Sequence, residues 1–475
     1  MSPRTMPNVV FILVDDMGYG DFSAFNDGRS STLTLDALMA EGTCLAQQYS
    51  ASPVCNPSRA ALLTGRYPHR TGSIDTLEWW GLDRLALRET TLAEVLSRAG
   101  YATSHIGKWH LGAYDDRYHP RNRGYDEAVC FRGGMHDYWD WRLDHQDIVK
   151  RADGRYLTDV WTDEAVSFVE RHEAGGPFFL SLNYNAPHTP LQAPEQDVAP
   201  FLEGGRFDEG IATLYGMIRR MDSGVARVLD ALDRTGQKDN TVVVFTSDNG
   251  PQFGTVSTVH GDEWDMTRFN CQFAGAKGTT YEGGIRVPGI IRWPEGLEGG
   301  RTVDHMVHFT DWFPTLLSAI GIVPPEDVKL DGKDVWPVLQ GRSNQVETKR
   351  FWQWNRFAPD ITSNAAMRDG DWKLVRPKIG ETMRIPDNDD LRDSMFKPER
   401  YIEGGIISGP YPERDVPPPP PAELYDLASD PLERHDLAGE QPERTRRMLS
   451  DLETWFEDVE ADRATIDDGW QSVRG

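Results

Sequence analysis

The stretch Asn8-Val9-Val10-Phe11-Ile12-Leu13-Val14 runs directly into Asp15-Asp16-Met17-Gly18-Tyr19-Gly20-Asp21. An apolar, β-branched run without alternation reads as a strand buried on both faces, as in a parallel sheet covered by helices. Similar runs at 101–106, 178–184 (FFLSLNY), 241–246 (TVVVFT) and 285–293 give further strands. Helical spacing at Leu33–Glu41 and at 90–98, 158–172, 208–235 and 311–320 is interleaved with them. This alternation predicts an α/β fold, a large and mostly parallel sheet flanked by helices on both faces. In such sheets, sites lie outside the carboxyl ends of the strands.

The strand ends carry the chemistry. Adjacent carboxylates at Asp15 and Asp16 repel unless a cation neutralises them; the plain alternative is a helix-capping Asp beside a solvated neighbour. Ser247-Asp248-Asn249-Gly250 closes the 241–246 strand and is suited to meet Asp15 and Asp16 across the sheet. Asp15, Asp16, Asp248 and Asn249 offer only hard oxygen donors, which suit Ca²⁺ or Mg²⁺ and not zinc. Three carboxylates outweigh a divalent ion, so cations such as Arg59, Lys108 and Lys277 are expected to crowd in.

Ser52-Pro53-Val54-Cys55-Asn56-Pro57-Ser58-Arg59 places Cys55 ahead of a helix expected to start near Pro57 or Ser58. Unpaired N–H groups and the positive dipole end there favour an anion. The alternative is a small buried thiol at a helix start. In Gly107-Lys108-Trp109-His110-Leu111-Gly112, an extended backbone lets Lys108 and His110 point one way. His188 sits between Pro187 and Pro190 on a stiff loop, and Lys277 lies among small residues. Each taken alone also fits a solvated loop, a structural histidine or a surface turn. Residues 121–145 lack periodicity and read as an irregular insertion over the site. Trp139, Trp141 and Arg142 there would stack on a sugar and pair with an anion, or form a packed loop with its own aromatic cluster. Residues 256–273 read as a second lid.

The 475 residues carry a formal net charge of −25, which argues against a nucleic-acid partner. No apolar run approaches the roughly 20 residues of a membrane helix, so no membrane association is expected. Residues 1–7 show no apolar leader core. A cytoplasmic location is expected, or a periplasmic or secreted one if a leader was removed. The four cysteines, Cys44, Cys55, Cys130 and Cys271, form no zinc pattern and no disulfide framework. A linker-like stretch at 340–348 divides the chain into 1–345, the catalytic α/β domain, and 346–475, a smaller α+β subdomain. The latter is expected to hold a strand at 351–357, a hairpin turning at Asp369-Gly370 and a five-proline connector at 417–421. A last helix over 441–460 completes it.

The Cys-x-Pro-Ser-Arg signature with its Leu-Thr-Gly-Arg run resembles that of the type I, formylglycine-dependent sulfatases of the alkaline phosphatase-like superfamily. DDMGYGD, GKWHLG, APHTP and ELYDLASDPLERHDL resemble further segments of that family, so the likeness covers most of the chain. It implies that Cys55 is oxidised to formylglycine by a formylglycine-generating enzyme, and that the ion is calcium. Cys55 would complete the metal site of Asp15, Asp16, Asp248 and Asn249. As the hydrate, the matured residue would attack sulfur, with Arg59 and Lys108 holding it. His188 with Lys277 would protonate the departing alcohol, and His110 would take the proton of the second hydroxyl. Asn56 fills a position where smaller residues are frequent in the family, a departure expected to be tolerated by the maturing enzyme. The implied function is hydrolysis of a small anionic sulfate ester, with exo action on a sulfated saccharide favoured for the sake of the aromatic loop. The alternatives are an arylsulfatase, a phosphonate monoester or phosphodiester hydrolase, and a non-catalytic sulfated-glycan binder.

Overall fold

The run beginning at Asn8 is a central strand of a ten-stranded sheet. The computed structural model describes residues 6–78, 81–173, 175–257, 262–344, 347–385 and 411–467. In chain order the first strands are β1 (Asn8–Val14), β2 (Thr43–Tyr49), β3 (Ala102–Lys108), β4 (Glu127–Phe131), β5 (Arg142–His145) and β6 (Ile148–Arg151). They are followed by β7 (Phe178–Asn183), β8 (Thr241–Ser247), β9 (Thr255–Ser257), β10 (Glu263–Asp265), β11 (Gly289–Arg292) and β12 (Arg301–His308). The sheet order is β12-β2-β11-β8-β1-β7-β3-β4-β5-β6, and β9 and β10 form a separate ribbon. The middle, β8-β1-β7-β3-β4, is parallel throughout. Antiparallel pairing begins at β11 on one side and β5 on the other, while β2 and β12 pair parallel.

Both faces of β1 are buried, as the unbroken apolar run requires. Val10, Ile12 and Val14 join Leu180, Leu182, Val243 and Phe245 in one core. Val9, Phe11 and Leu13 join Phe179, Val242 and Val244 in the other. The helices Leu157–Arg171 and Glu209–Arg234 cover the first face through residues such as Trp161, Phe168, Leu214 and Met217. The helices Cys55–Thr64, Leu92–Arg98 and Trp312–Ile320 cover the second. Each such apolar side chain, fully buried, contributes about 1.5–3 kcal/mol relative to exposure.

Several segments differ from the sequence reading. Residues 121–145 are not an irregular insertion: they supply β4 and β5, which with β6 extend the sheet. Residues 256–273 are partly the β9–β10 ribbon, and residues 258–261 lie outside the described residues. β2 and β12, absent from the reading, build one edge. The two glutamines of β2 mask its pattern, and β12 shifts register between Val303 and Met306.

The C-terminal part forms a second, antiparallel sheet of β13 (Lys349–Gln353), β14 (Ala365–Asp369), β15 (Trp372–Arg376) and β16 (Glu423–Asp426), in that order. The predicted β14–β15 hairpin forms, turning through Gly370-Asp371 between the paired Asp369 and Trp372, one residue later than the expected Asp369-Gly370. The five prolines at 417–421 are exposed and outside regular secondary structure. The helix Pro442–Arg463 packs Met448, Leu452 and Trp455 against Tyr67, Met367 and Leu374. Arg66 and Arg70 pair with Asp462, and Arg70 also with Asp458, fastening this helix just beyond Cys55–Thr64. Between the two sheets, the fully buried Lys373 lies 2.9 Å from Glu282 and 2.8 Å from Glu433. The expected boundary at 345/346 and residues 1–5, part of the stretch read as having no leader core, lie outside the described residues. Among the described residues no helix is long and apolar enough to cross a membrane.

Candidate active site

Asp15 and Asp16 follow β1, Asp248 and Asn249 follow β8, and Lys108 is the last residue of β3. His188 lies beyond the end of β7. Parallel strands thus deliver these groups to one edge of the sheet. Cys55 is the first residue of its helix, two or three positions earlier than expected, so its own backbone N–H belongs to the unpaired first turn. Gly107 permits the close packing of β3 on β7: its φ is +115°, and a Cβ there would stand 1.9 Å from the Asn183 carbonyl oxygen.

Each predicted carboxylate is met by one predicted cation. Lys108 Nζ donates to Asp15 Oδ2 at 2.5 Å, and Lys277 Nζ donates to Asp16 Oδ2 at 2.7 Å. Arg59 donates Nε–H to Asp248 Oδ2 at 2.9 Å, and its Nη2 stands 2.8 Å from the same oxygen as an ion pair. Asn249 Nδ2 donates to Asp16 Oδ1 at 2.7 Å. One ligand atom each of Asp15, Cys55 and Asp248 lies within 4.8 Å of the others, and the same holds for Asp15, Asp16 and His188. The four oxygen-bearing residues are all fully buried. Asp15 Oδ1 and Asn249 Oδ1 have no hydrogen-bond donor. Buried oxygens left unpaired beside neutralised carboxylates are what a hard divalent cation would satisfy.

The electrostatics follow the pairing. Burial acts to raise the pKa of Asp15, but Lys108, His188, Arg59 and Lys277 outweigh it and hold the carboxyl well below the usual range. Burial, reinforced by the charge of Asp15, pushes Asp248 up to about 7. Burial also raises the Cys55 thiol. Burial opposes the charge on Lys277, yet Asp16 and Cys55 prevail and raise its pKa.

The histidines are held in defined tautomers. His110 has a left-handed backbone, φ +55°, so it does not continue the extended geometry that would align it with Lys108. Its Nε2 lies 3.1 Å from the Thr76 carbonyl, which can only accept, so this nitrogen carries the proton. Nδ1 is then a bare, buried acceptor without a partner. Burial and the Lys108 charge hold the ring neutral, its pKa well below the ordinary value. Gly134 leaves room for the ring: a Cβ there would stand 2.8 Å from His110 Cε1. Asn56, the departure from the family pattern, has a structural task. Its Nδ2 donates to the carbonyls of Asp83 and His110, both at 2.6 Å, and its Oδ1 accepts from Ser73 Oγ at 2.7 Å. His188 Nδ1 donates to the Thr189 carbonyl at 2.8 Å, turning Nε2 toward Asp16 Oδ2 at 3.7 Å. Burial and Lys277 lower its pKa to about 4.

Cys55, His110, His188 and Lys277 line one pocket of about 1000 Å³, open mouth included. Its walls also include Thr76, Met135, Phe253, Trp354, Arg356, Lys378 and Met383. None of Trp139, Trp141 and Arg142 is among the lining residues. Trp141 is buried and donates Nε1–H to the Arg155 carbonyl, Trp139 leans on Tyr156, and Arg142 opens β5. The packed-loop alternative describes them. Aromatic and basic groups come instead from the C-terminal sheet. β13 stops at Gln353, and the chain turns through Phe357 at φ +63°. The signal lay in FWQWNRF, where Trp354 and Arg356 alternate. Thr76 had no signal at all.

The family model described as Sulfatase matches residues 7–322, and that described as N-sulphoglucosamine sulphohydrolase, C-terminal, matches 275–385. Mouse N-acetylgalactosamine-6-sulfatase is 34% identical over 361 residues, covering 70% of this chain and 66% of that protein. Mouse arylsulfatase J is 29% identical over 484 residues, covering 94% and 75%. The crystal structure of Ps i-CgsB in complex with k-i-k-neocarrahexaose superposes with a TM-score of 0.80 at 28% identity, covering 99% of this chain and 96% of that one. With its signature cysteine, strand-end carboxylates and paired cations gathered in one buried cluster, the chain belongs to the sulfatase family and is a sulfate ester hydrolase.

Proposed function

We propose that the enzyme removes sulfate from a carbohydrate end, using Cys55 matured to formylglycine and a divalent ion, calcium, held by Asp15, Asp16, Asp248 and Asn249. The observation that carries this is the set of three carboxylate–cation pairs around Cys55, with Asp15 Oδ1 and Asn249 Oδ1 buried and unpaired. Three carboxylates and three cations cancel formally, so a divalent ion leaves the site positive, as an anionic ester requires. A bound ion supplies Lewis acidity to the oxygens at the reacting centre. Formylglycine supplies an aldehyde hydrate, whose second hydroxyl offers an exit by elimination that serine or cysteine lacks.

The chain's own residues manage charge and protons. Arg59 and Lys108 fix the orientation of Asp248 and Asp15 and place positive charge beside position 55. His188, its Nδ1–H tied to Thr189, turns a bare Nε2 toward the leaving alcohol. Burial and the Lys277 charge lower its pKa, so it takes up a proton there only when the anionic substrate offsets that charge. Lys277, kept charged by Asp16, stands next to it as the second donor. His110 accepts a proton at Nδ1, the nitrogen its bond to Thr76 leaves open. Each such transfer is worth about 10²–10⁴-fold in rate. Walls contributed by both sheets suit a chain end more than a through-running polymer. N-acetylgalactosamine-6-sulfatase and the neocarrahexaose complex, both named for sugars, support the carbohydrate reading.

The test is sulfate release from mono- and disaccharides of defined sulfation, set beside an aryl sulfate and a phosphonate monoester, with Cys55→Ala as the inactive control. The Cys55 peptide mass reports maturation by the formylglycine-generating enzyme. Turnover confined to simple aryl sulfates would retire the carbohydrate reading in favour of the arylsulfatase one.

A further inference from the structure

The cations at the reacting end of the pocket are all matched. Arg59, Lys108 and Lys277 face Asp248, Asp15 and Asp16. On the C-terminal wall, Arg356 Nη1 donates to Asp75 Oδ1 at 2.7 Å and Thr76 Oγ1 at 2.6 Å. Lys378 on that same wall differs. It is exposed, and among the described residues no carboxylate pairs with it.

Its backbone is nevertheless fixed. The Pro377 carbonyl accepts from Asn364 N at 3.2 Å, and Ile379 N donates to Ser363 Oγ at 2.9 Å. The Ile379 side chain is buried. An unmatched ammonium on a clamped backbone, lining the pocket of a chain with net charge −25, is a local attractor for anions. The pocket of about 1000 Å³ also holds far more than one sulfate group. Trp354 contributes an apolar surface, with the Arg356 guanidinium 5.0 Å from its ring centroid.

We propose that the substrate carries a second anionic group, apart from the sulfate that is cleaved, and that Lys378 binds it at the rim of the pocket. The shared chemistry is a carboxylate or a second sulfate on the same or the adjoining sugar. This rests on the carbohydrate reading above.

Competition against hydrolysis of a fluorogenic aryl sulfate tests it, because inhibition reads the rim whether or not the saccharide is turned over. The probes are a monosulfated monosaccharide, its disulfated form, and a disaccharide joining the monosulfated sugar to a uronic acid. The wild-type protein is expected to bind at least one dianionic probe about 5–10-fold more tightly than the monoanionic one, a gap that narrows with salt. The arm that shows the gap identifies the group as sulfate or carboxylate. Lys378→Gln should remove the gap and leave kcat for the aryl sulfate unchanged, and Lys378→Arg should keep it. Equal inhibition by all three probes, or a gap that survives in Lys378→Gln, overturns the proposal. Saccharides that inhibit with the gap but never release sulfate count against the carbohydrate reading and not against the rim.

Discussion

Asn56→Ala tests whether the residue after Cys55 holds the turn that presents His110. The Asn56 amide is fully buried and makes three hydrogen bonds, two to backbone carbonyls at 2.6 Å and one from Ser73 Oγ. Ser73 Oγ also lies 3.4 Å from the Asp83 carbonyl, so those two groups can satisfy each other after truncation. The His110 carbonyl has no such replacement. One buried acceptor left wholly unpaired and a second left partly so cost about 2–4 kcal/mol together. Asn56→Asp should be worse than alanine, since it sets a carboxylate oxygen against two carbonyls where an NH₂ stood. Urea denaturation reads the stability. The kcat is normalised by the formylglycine fraction read from the Cys55 peptide mass, on the maturation proposed above, because the change adjoins Cys55. A loosened His110 turn should lower kcat about tenfold or more with little change in KM. An alanine variant within about 1 kcal/mol of wild type, or an aspartate variant as stable as the parent, would refute the reasoning.

Prolonged chelation should lower both activity and thermal stability, with calcium restoring both better than magnesium; indifference of the melting temperature to chelator would remove the ion from the site. His105 is buried beneath the site, and burial lowers its pKa to about 3, far below the ordinary imidazole range. A histidine depressed on folding contributes stability that is complete above the unfolded pKa and is lost as pH falls toward the folded one. His105→Gln should therefore cut the loss between pH 6.5 and 5 by roughly 2 kcal/mol, read by urea titrations at both pH values; parallel pH slopes would contradict this. Lys373→Met leaves Glu282 and Glu433 buried together without their shared cation, and should cost about 3–5 kcal/mol by denaturation, more at pH 8 than at pH 6, because burial and Glu282 raise the Glu433 pKa to about 7. An equal cost at both pH values would show that Glu433 does not titrate there.

The parts legible in the sequence were those where local pattern and final environment agree. β1 and β8 are buried on both faces, so their runs are unbroken, and the groups at their ends could be read as one cluster. β2 and β12 pair at an edge, where polar residues such as Gln47 and Asp304 are tolerated, and their pattern dissolves. Residues 121–145 hide two strands because β4 and β5 are short and lie among aromatic loops. The direction of His110 depends on a positive φ set by distant partners, Asn56 and Thr76, which no local spacing encodes. The sequence points to Trp139 and Trp141 for the aromatic lining of the pocket, whereas Trp354 supplies it, with Arg356 beside it. Whether an aromatic residue faces a pocket or a neighbouring strand is decided by docking between sheets, a long-range matter.

The fastening of the Pro442–Arg463 helix to Arg66 and Arg70 joins residues nearly four hundred positions apart. During synthesis the segment bearing Cys55 leaves the ribosome long before the carboxylates that secure its far end. Until residues 442–463 have been made, that region of the nascent chain is without this clasp, while in the folded protein the Cys55 thiol is buried. On the maturation proposed above, the order in which the polypeptide emerges would give an outside catalyst an interval at Cys55 that closes when the Pro442–Arg463 helix docks.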